Sequence, residues 1–513
     1  MKIHFTQYRF SPIALVALPL FLSACTVGPD YSGPPTAPAP TAYKEKGPWK
    51  LATPKDDVIR GPWWEMYHDS QLNALESQVN ISNQNVIQAE AQFREAAASV
   101  KVSRAAYYPT VTANPAYTAS QSSQSLSSGK GGTTGSTGFA GGGKGGKSGV
   151  NSLYNLPVEA SYMVDVWGQV RRQVEASSAT AESSFANLEN ARLSYQALLA
   201  EDYFNLRGID AQEQLLQTTV VSYQKYLTLT ANRYKAGISS QNDVAQATTQ
   251  LDNAQAQLID LGVQRAQYEH AIATLIGRPA SFFSLGKMPL KAIPPHIPVA
   301  VPSTLLERRP DIAQAERNVA SANASIGVAT AAYYPTITLS GQSGLEAIKL
   351  SELFSGPSFF WSVGPVLAQT LFNGGATHGQ VQEARANYEA LVAAYRQTAL
   401  TAFQQVEDDL SGLRILADEQ VVADQAAQSA IKSLDISTNL YKAGTQDYLD
   451  VIVAQATALN DQLASVRIQT SRMTTSVLLV EAVGGGFDKS QMPSSAGVAD
   501  VPQAQAQINK DRK

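Results

Sequence analysis

The chain has 513 residues and a formal net charge of −4, and 16% of its residues are charged, against roughly 25% in ordinary soluble domains. That length allows more than one domain, and the mild acidity without any basic cluster excludes a nucleic-acid-binding protein. One cysteine, Cys25, excludes an intrachain disulfide.

Lys2 and Arg9 precede an apolar run from Ile13 to Leu22, and Leu22-Ser-Ala-Cys25 sets small residues before the cysteine. A basic start, an apolar core too short to span a membrane and a small-residue cut read as a secretory signal peptide over residues 1–24. Leu-Ser-Ala-Cys matches the bacterial lipobox, so Cys25 is the expected lipidation site, acylated after cleavage. Thr26, rather than Asp, follows it, which implies sorting to the outer membrane. Residues 25–62 are then a lipidated, extended N-terminal arm, because their prolines and small residues neither continue a helix nor bury much.

A first structural repeat runs from 63 to 277. Trp63-Trp-Glu-Met-Tyr67 leads into a helix whose row Leu72, Val79, Val86, Phe93, Val100, with Leu75, Ala89 and Ala96 beside it, keeps a coiled-coil step. At Tyr107-Tyr-Pro-Thr110 the period falls to two, predicting a β-hairpin at about 107–167. Val111, Ala113, Tyr117 and Ala119 alternate with Thr and Asn. Past a loop, Tyr154, Leu156, Val158, Ala160, Tyr162, Val164 and Val166 alternate with Asn155, Glu159, Ser161 and Asp165. One face is apolar and aromatic, as an outer-membrane barrel strand requires, although a soluble sandwich strand has the same alternation. Residues 119–149 between them are mostly Ser, Gly, Thr and Lys. Gly141 to Ser148 formally fits G-x-x-x-x-G-K-S, but glycine precedes it and a strand follows, so no helix N-terminus faces a phosphate. The segment reads as a flexible extracellular loop.

Gly168 to Lys235 is a proline-free helix, about 100 Å long at 1.5 Å per residue, ending in a tip at about 234–241. A shorter helix follows, with the row Ala247, Ala254, Leu261, Tyr268, Leu275. A Pro-rich linker at 278–302 joins it to a second structural repeat, 303–486. This repeat has its own β-hairpin at about 333–372, where Phe359, Trp361, Val363, Leu367 and Leu371 form one face. Its long helix runs from Ala376 to Lys442, its tip lies at about 441–447, and its last helix carries the row Ile452, Leu459, Val466, Met473, Val480. Composition makes 487–513 a disordered tail.

The halves are copies. Arg233–Thr248 (RYKAGISSQNDVAQAT) recurs as Leu440–Gln455 (LYKAGTQDYLDVIVAQ), and Ala105-Ala-Tyr-Tyr-Pro-Thr-Val111 as Ala331-Ala-Tyr-Tyr-Pro-Thr-Ile337. In each Tyr-Lys-Ala-Gly a glycine ends one helix and a second soon begins, the signature of a helical-hairpin tip. Each short helix matches only part of its long neighbour, so another short helix, 72–105 or 303–331, must stack end to end with it. Four strands cannot close a barrel, and open sheet edges in lipid leave backbone groups unpaired, so other copies of the chain must supply the rest.

No chemistry stands out. His4, His68, His270, His296 and His378 lack ligand spacing, no nucleophile or carboxylate pair forms a catalytic set, and Asp408-Asp409 reads as a solvated helix face. Neither an enzyme nor a cofactor or metal is expected.

Cys25-Thr-Val-Gly-Pro-Asp-Tyr31, Trp63-Trp64 with Leu72 and Leu75, Asp165-Val-Trp-Gly-Gln-Val-Arg-Arg172, Leu305-Leu-Glu-Arg-Arg-Pro-Asp-Ile312, the two Tyr-Lys-Ala-Gly tips and Phe372-Asn-Gly-Gly375 resemble the TolC-like outer membrane factors, in the OprM/NodT lipoprotein branch. The resemblance implies an α+β membrane protein. In it a homotrimer forms a 12-stranded outer-membrane β-barrel, four strands per protomer, continuous with a long periplasmic α-helical barrel. It implies the exit duct of a tripartite, RND-type efflux pump for drugs or other small toxic solutes. The partners would be a periplasmic adaptor (membrane fusion) protein, an inner-membrane RND transporter and outer-membrane lipid. Metal-ion efflux and type I protein secretion stay open within that class, and an adhesin that merely uses a coiled coil stays open outside it.

The adaptor contacts are then expected at Tyr234, Lys235, Ala236, Gly237 and Ile238 and at Tyr441, Lys442, Ala443, Gly444 and Thr445, where a plain helix cap would explain the glycines equally. A periplasmic gate is implied at Asp450 and Val453, which match two acidic positions of the family, so one carboxylate ring and one apolar ring are expected. Asp243 and Tyr441 match a polar link that holds the gate shut. Asp450 starting a helix is the alternative reading of that residue.

Overall fold

The computed structural model describes residues 26–33, 36, 40, 42–45, 62–121, 150–297, 306–487 and 489–500; Cys25, the signal peptide and most of the Gly-rich loop lie outside them. The described elements run Ser70–Ser82 (α1), Gln84–Ala105 (α2), Thr110–Ala113 (β1), Ala116–Ser120 (β2), Asn151–Val164 (β3), Gln169–Lys235 (α3), Gln241–Leu275 (α4), Pro310–Ala331 (α5), Thr336–Ala347 (β4), Phe359–Ala368 (β5), Ala376–Ala443 (α6) and Tyr448–Ala482 (α7). They fall into two compact units, one of 1–31, 99–177 and 322–387, the other of 32–98, 178–321 and 388–513.

The first unit holds the sheet. β3 pairs on one side with β1 and β2 and on the other with β4, which pairs with β5, all antiparallel. The expected first strand is broken in two at Asn114-Pro115, because proline brings no N–H to the ladder. The last strand stops at Ala368, so Leu371, expected within it, lies beyond the sheet. Register decides the faces. Ala160 opposes Val111 and Gly341, Tyr162 opposes Leu339, and Ile337 opposes Leu367, while Glu159 opposes Thr112 and Gln342. A period-two sequence thus collects an apolar face and a polar face, and Val158, Leu339, Trp361, Val363 and Leu367 on the apolar face are exposed in the protomer.

Three motifs meet beneath that sheet. Asp165 accepts from the backbone N–H of Val170 and Arg171, each at 3.0 Å, and so caps α3. The Trp167 indole stacks on Tyr334 with centroids 4.8 Å apart and donates to the Pro335 carbonyl at 2.8 Å. The Trp167 carbonyl in turn accepts from Val27 N–H, and Arg172 pairs with Asp30 and Glu175. The residues following Cys25 are therefore tied to the start of α3.

The second unit is helical, and its core follows the seven-residue rows: Leu72, Val79, Val86 and Phe93 are all buried. The single helix expected across 72–105 is two. Asn83 ends α1, its carboxamide oxygen accepts from Asn85 and Val86 N–H to cap α2, and its Nδ2 donates to the Leu275 carbonyl at 2.8 Å. Ser82 Oγ donates to the Ile276 carbonyl at 2.7 Å. The orphan carbonyls at the end of α4 thus find donors at the junction of α1 and α2, which is how two short helices stack end to end. The other repeat solves the same problem with the Arg-Arg-Pro-Asp motif. Arg309 donates to the Ala482 carbonyl at 2.9 Å and is held by Asp311, and Gly484 passes so close to the Arg308 carbonyl that a Cβ would lie 2.2 Å from it.

The Pro-rich linker is pinned by buried charge. Asp210 accepts from Arg207 at 2.9 Å, Arg265 at 2.8 Å and Met288 N–H at 2.9 Å, while Arg207 reaches the Gly286 carbonyl and Arg265 the Leu285 carbonyl. Removing one partner of such a set costs about 3–5 kcal/mol, because the others stay buried and unpaired. The expected disordered tail is wrong for its described part. Phe487 packs on Ala186 and Ala313, Val498 and Ala499 are buried, and Lys489 pairs with Glu316 at 2.5 Å. Composition predicted disorder there, yet these few apolar anchors suffice.

Candidate functional site

Both tips close with the same turn. At the first, Gly237 has φ 72, its N–H donates to the Tyr234 carbonyl at 2.9 Å, and Ile238 N–H donates to the Arg233 carbonyl at 2.9 Å. At the second, Gly444 has φ 77, and the same two bonds run to Tyr441 at 3.0 Å and from Thr445 to Leu440 at 3.1 Å. A left-handed glycine past the helix end satisfies the last carbonyls, which is why Tyr-Lys-Ala-Gly recurs. Lys235, Ala236, Lys442, Ala443, Gly444 and Thr445 are exposed, as are Tyr234 and Ile238. Tyr441 differs from the docking surface expected of it: only 3% exposed, it packs against Tyr448 with the rings tilted and their centroids 5.2 Å apart.

The residues implied as a gate sit close to the second tip. Asp450 lies in the first turn of α7 and is exposed, and Val453, one turn on, is 59% exposed. With Thr457 and Asn460 they make an exposed stripe at helical spacing. Asp243 and Tyr441 are not joined within the protomer. Asp243 accepts from Ser240 N–H at 3.0 Å while Ser240 Oγ accepts from Asp243 N–H at 3.1 Å, a capping box that occupies the carboxylate at its own helix. Tyr441 Oη has no hydrogen-bond partner there.

The model of the outer membrane efflux protein family matches residues 75–278 and 301–485, most of the chain. The chain belongs to that family. Among curated relatives, Nodulation protein T of Rhizobium leguminosarum bv. viciae is 28% identical over 499 residues, covering 97% of this chain and 98% of the relative. The antibiotic efflux pump outer membrane protein ArpC of Pseudomonas putida is 27% identical over 482 residues, covering 93% and 96%. Among solved structures, the outer-membrane channel OprN matches with a TM-score of 0.81 at 27% identity, covering 90% of this chain and 99% of that one. The protein is thus an outer-membrane efflux protein with an α+β channel fold.

Sequence reasoning missed two features of this efflux protein. Asp409, read as a solvated residue, is half-buried near Glu201 and Glu481. Burial first, and then the charges of Asp408, Glu481 and Glu201, push its carboxyl up to about 7. Burial likewise raises Glu201 to about 7, with Glu481 and Asp202 adding to it. Asp408, Asp409 and Glu481 line a cavity of about 420 Å³ with Arg309 and Asp311, and the spacing of acids on three separate helices gave no local signal of it. The second missed feature is Arg233, whose side chain crosses to the other tip, its NH1 donating to the Lys442 carbonyl at 3.2 Å and its guanidinium lying 4.7 Å from the Tyr441 ring. The signal available was the Arg233-versus-Leu440 mismatch between two otherwise matching motifs.

Proposed function

We propose that this chain is the outer-membrane exit duct of a tripartite, RND-type efflux pump and passively releases antibiotics or other small toxic solutes. The observation that carries the reading is the sheet. Its apolar face is exposed in the protomer, and among the described residues β1–β2 and β5 each leave a free edge that lipid cannot satisfy. Three copies, each giving four strands, close a twelve-stranded barrel, with the polar face carrying Glu159, Gln342 and Glu346 turned to a water-filled lumen. The partial barrel supports this reading, as does the likeness to ArpC, the outer membrane protein of an antibiotic efflux pump.

Within it, Cys25, outside the described residues, is lipidated, and the barrel rather than the lipid is the main anchor. The exposed small residues Ala236 and Ala443 let the helical hairpin of an adaptor approach the tips, and that adaptor links the duct to an inner-membrane transporter. Asp450 and Val453 form the narrow rings near the tip, one acidic and one apolar. Purified protein added to a planar bilayer is expected to give discrete ion-conducting steps, and its deletion to sensitise cells to pump substrates. Absence of conductance from correctly assembled protein would falsify the duct. Bulky replacements at Ala236 or Ala443 are expected to abolish efflux while the oligomer persists, and full efflux in both rejects the docking contact.

A further inference from the structure

We infer that the connection between β4 and β5, residues 348–358, and the polar sheet face beside it form a binding site for small amphipathic cations; this rests on the duct reading above and names a substrate class for it. β4 follows α5 and β5 leads into α6, so their connection lies at the end of the sheet away from the helices. Its own hydrogen bonds hold it in one shape. The Glu352 carbonyl accepts from Ser355 N–H at 3.0 Å, Ser355 Oγ at 2.6 Å and Ser358 Oγ at 2.7 Å, and Leu353 is buried. Between this connection and the sheet is a cavity of about 480 Å³, the size of a small-molecule site, whose lining includes Leu153, Glu346, Ile348, Glu352 and Pro357.

The lining sets the class of ligand. By the two-residue period of a strand, Leu153 shares a face with Glu159, and Glu346 with Gln342, so both belong to the polar face that the duct turns to its lumen. Leu153, Ile348 and Pro357 supply an apolar wall. The Glu352 carboxylate is taken up by Lys349 at 2.9 Å, whereas among the described residues no ion pair or hydrogen bond takes up that of Glu346, which is half-buried. One such carboxylate beside an apolar wall suits a positive charge carried on an apolar body and turns an anion away. An aromatic ring stands one rung further along the same face. Phe360 opposes Gly344, two residues before Glu346, so the ring and the carboxylate are diagonal neighbours. Position 344 admits no side chain, because a Cβ would lie 2.3 Å from the Leu156 carbonyl oxygen, and the rung therefore sets nothing opposite Phe360. A cation paired with Glu346 is thus also within reach of a cation–π contact.

The probe is benzyltrimethylammonium, with tetramethylammonium for the charge alone and benzyl alcohol for the ring alone, titrated into purified full-length protein in nonionic detergent and followed by ligand NMR. Benzyltrimethylammonium is expected to bind about tenfold more tightly than either control, since each control lacks one of the two contacts. Glu346→Gln is expected to weaken it about tenfold and Phe360→Leu about threefold. If either control binds as tightly as the probe, the charge or the apolar wall plays no part and the site is overturned. Glu159→Gln removes a like charge from the same face outside the cavity. A loss there equal to that of Glu346→Gln would mean a diffuse field of the lumen and overturn the site as well. Should Glu346→Gln not assemble, Phe360→Leu and the wild-type comparison carry the test, and unchanged binding in Phe360→Leu overturns it. Conductance of the same preparation is read separately: conductance without binding removes the site and leaves the duct, and binding without conductance removes the duct.

Discussion

Tyr234 and Tyr441 occupy the same place in the same four-residue motif, yet Tyr234 is 45% exposed and Tyr441 is 3% exposed, wedged among Tyr448, Ala247 and Val451. The helices that leave the two tips differ as sharply. At the first, Ser240 and Asp243 close a capping box; at the second, the N-cap residue Asp447 accepts no hydrogen bond from the helix it precedes. Beyond the backbone turn they share, one tip is therefore held by a local capping box and the other by a buried aromatic pair under an arginine from its neighbour. The motif specifies a left-handed turn in both, but what the turn leans on comes from the other hairpin, and duplicated sequence has been put to two uses.

The largest expected effect separates the tyrosines. Tyr441→Ala removes a buried ring and should cost about 3 kcal/mol or more of local stability, whereas Tyr234→Ala should stay within about 0.5 kcal/mol. Hydrogen exchange at 440–450 and at 233–243 reads the two separately, and equal effects would end the asymmetry. Next come the caps. Ser240→Ala should cost about 1 kcal/mol, seen as faster exchange over 241–245, while Asp447→Ala should change its helix by less, since no bond to that side chain is lost.

Alkali should find the second tip first. Burial pushes the Tyr448 hydroxyl from its ordinary value near 10 up to about 12, with neighbouring Tyr441, Tyr226 and Tyr223 adding to the shift. A group whose folded pKa is raised stabilises fully below its unfolded value and loses that contribution as pH climbs through the folded one. Exchange protection at 440–450 is thus expected to fall between pH 10 and about 12, and Tyr448→Phe should remove that dependence.

Much of this was legible in the sequence, for reasons that particular residues make plain. Rows such as Leu72-Val79-Val86-Phe93 name the core because a helix repeats its face every seven residues, and Tyr162 lies on the face of Leu339 because a strand repeats every two. Pro115 carried the signal for the broken strand, and Asn83 that for the broken helix. Distant partners were not legible. Nothing local tells that Arg233 reaches Lys442, that Asp409 stands by Glu201, or that Val498 finds a core, because each depends on which helix lies alongside.

Asp450 carries the smallest stability change and the finest test of the comparison. Its carboxylate lies in the first turn of α7, where it favours the positive end of the helix dipole by about 0.3–1 kcal/mol, and no capping bond holds it as Ser240 holds Asp243. A charge that serves only the dipole is replaceable by any other device that starts the helix, so Asp450→Ala would then slow nothing and leave ion preference alone. Three such carboxylates brought together around a pore repel one another and draw cations into the constriction. Reversal potentials under a salt gradient separate the two roles, since the ring predicts weaker cation preference in Asp450→Ala and stronger preference when Val453→Asp adds a second acidic layer one turn further along. The matching control is Asp243→Ala at the first tip. Its carboxylate is spent on Ser240, so it should loosen α4 without moving the reversal potential, and a shift there equal to that of Asp450→Ala would place charge at both tips in the pore.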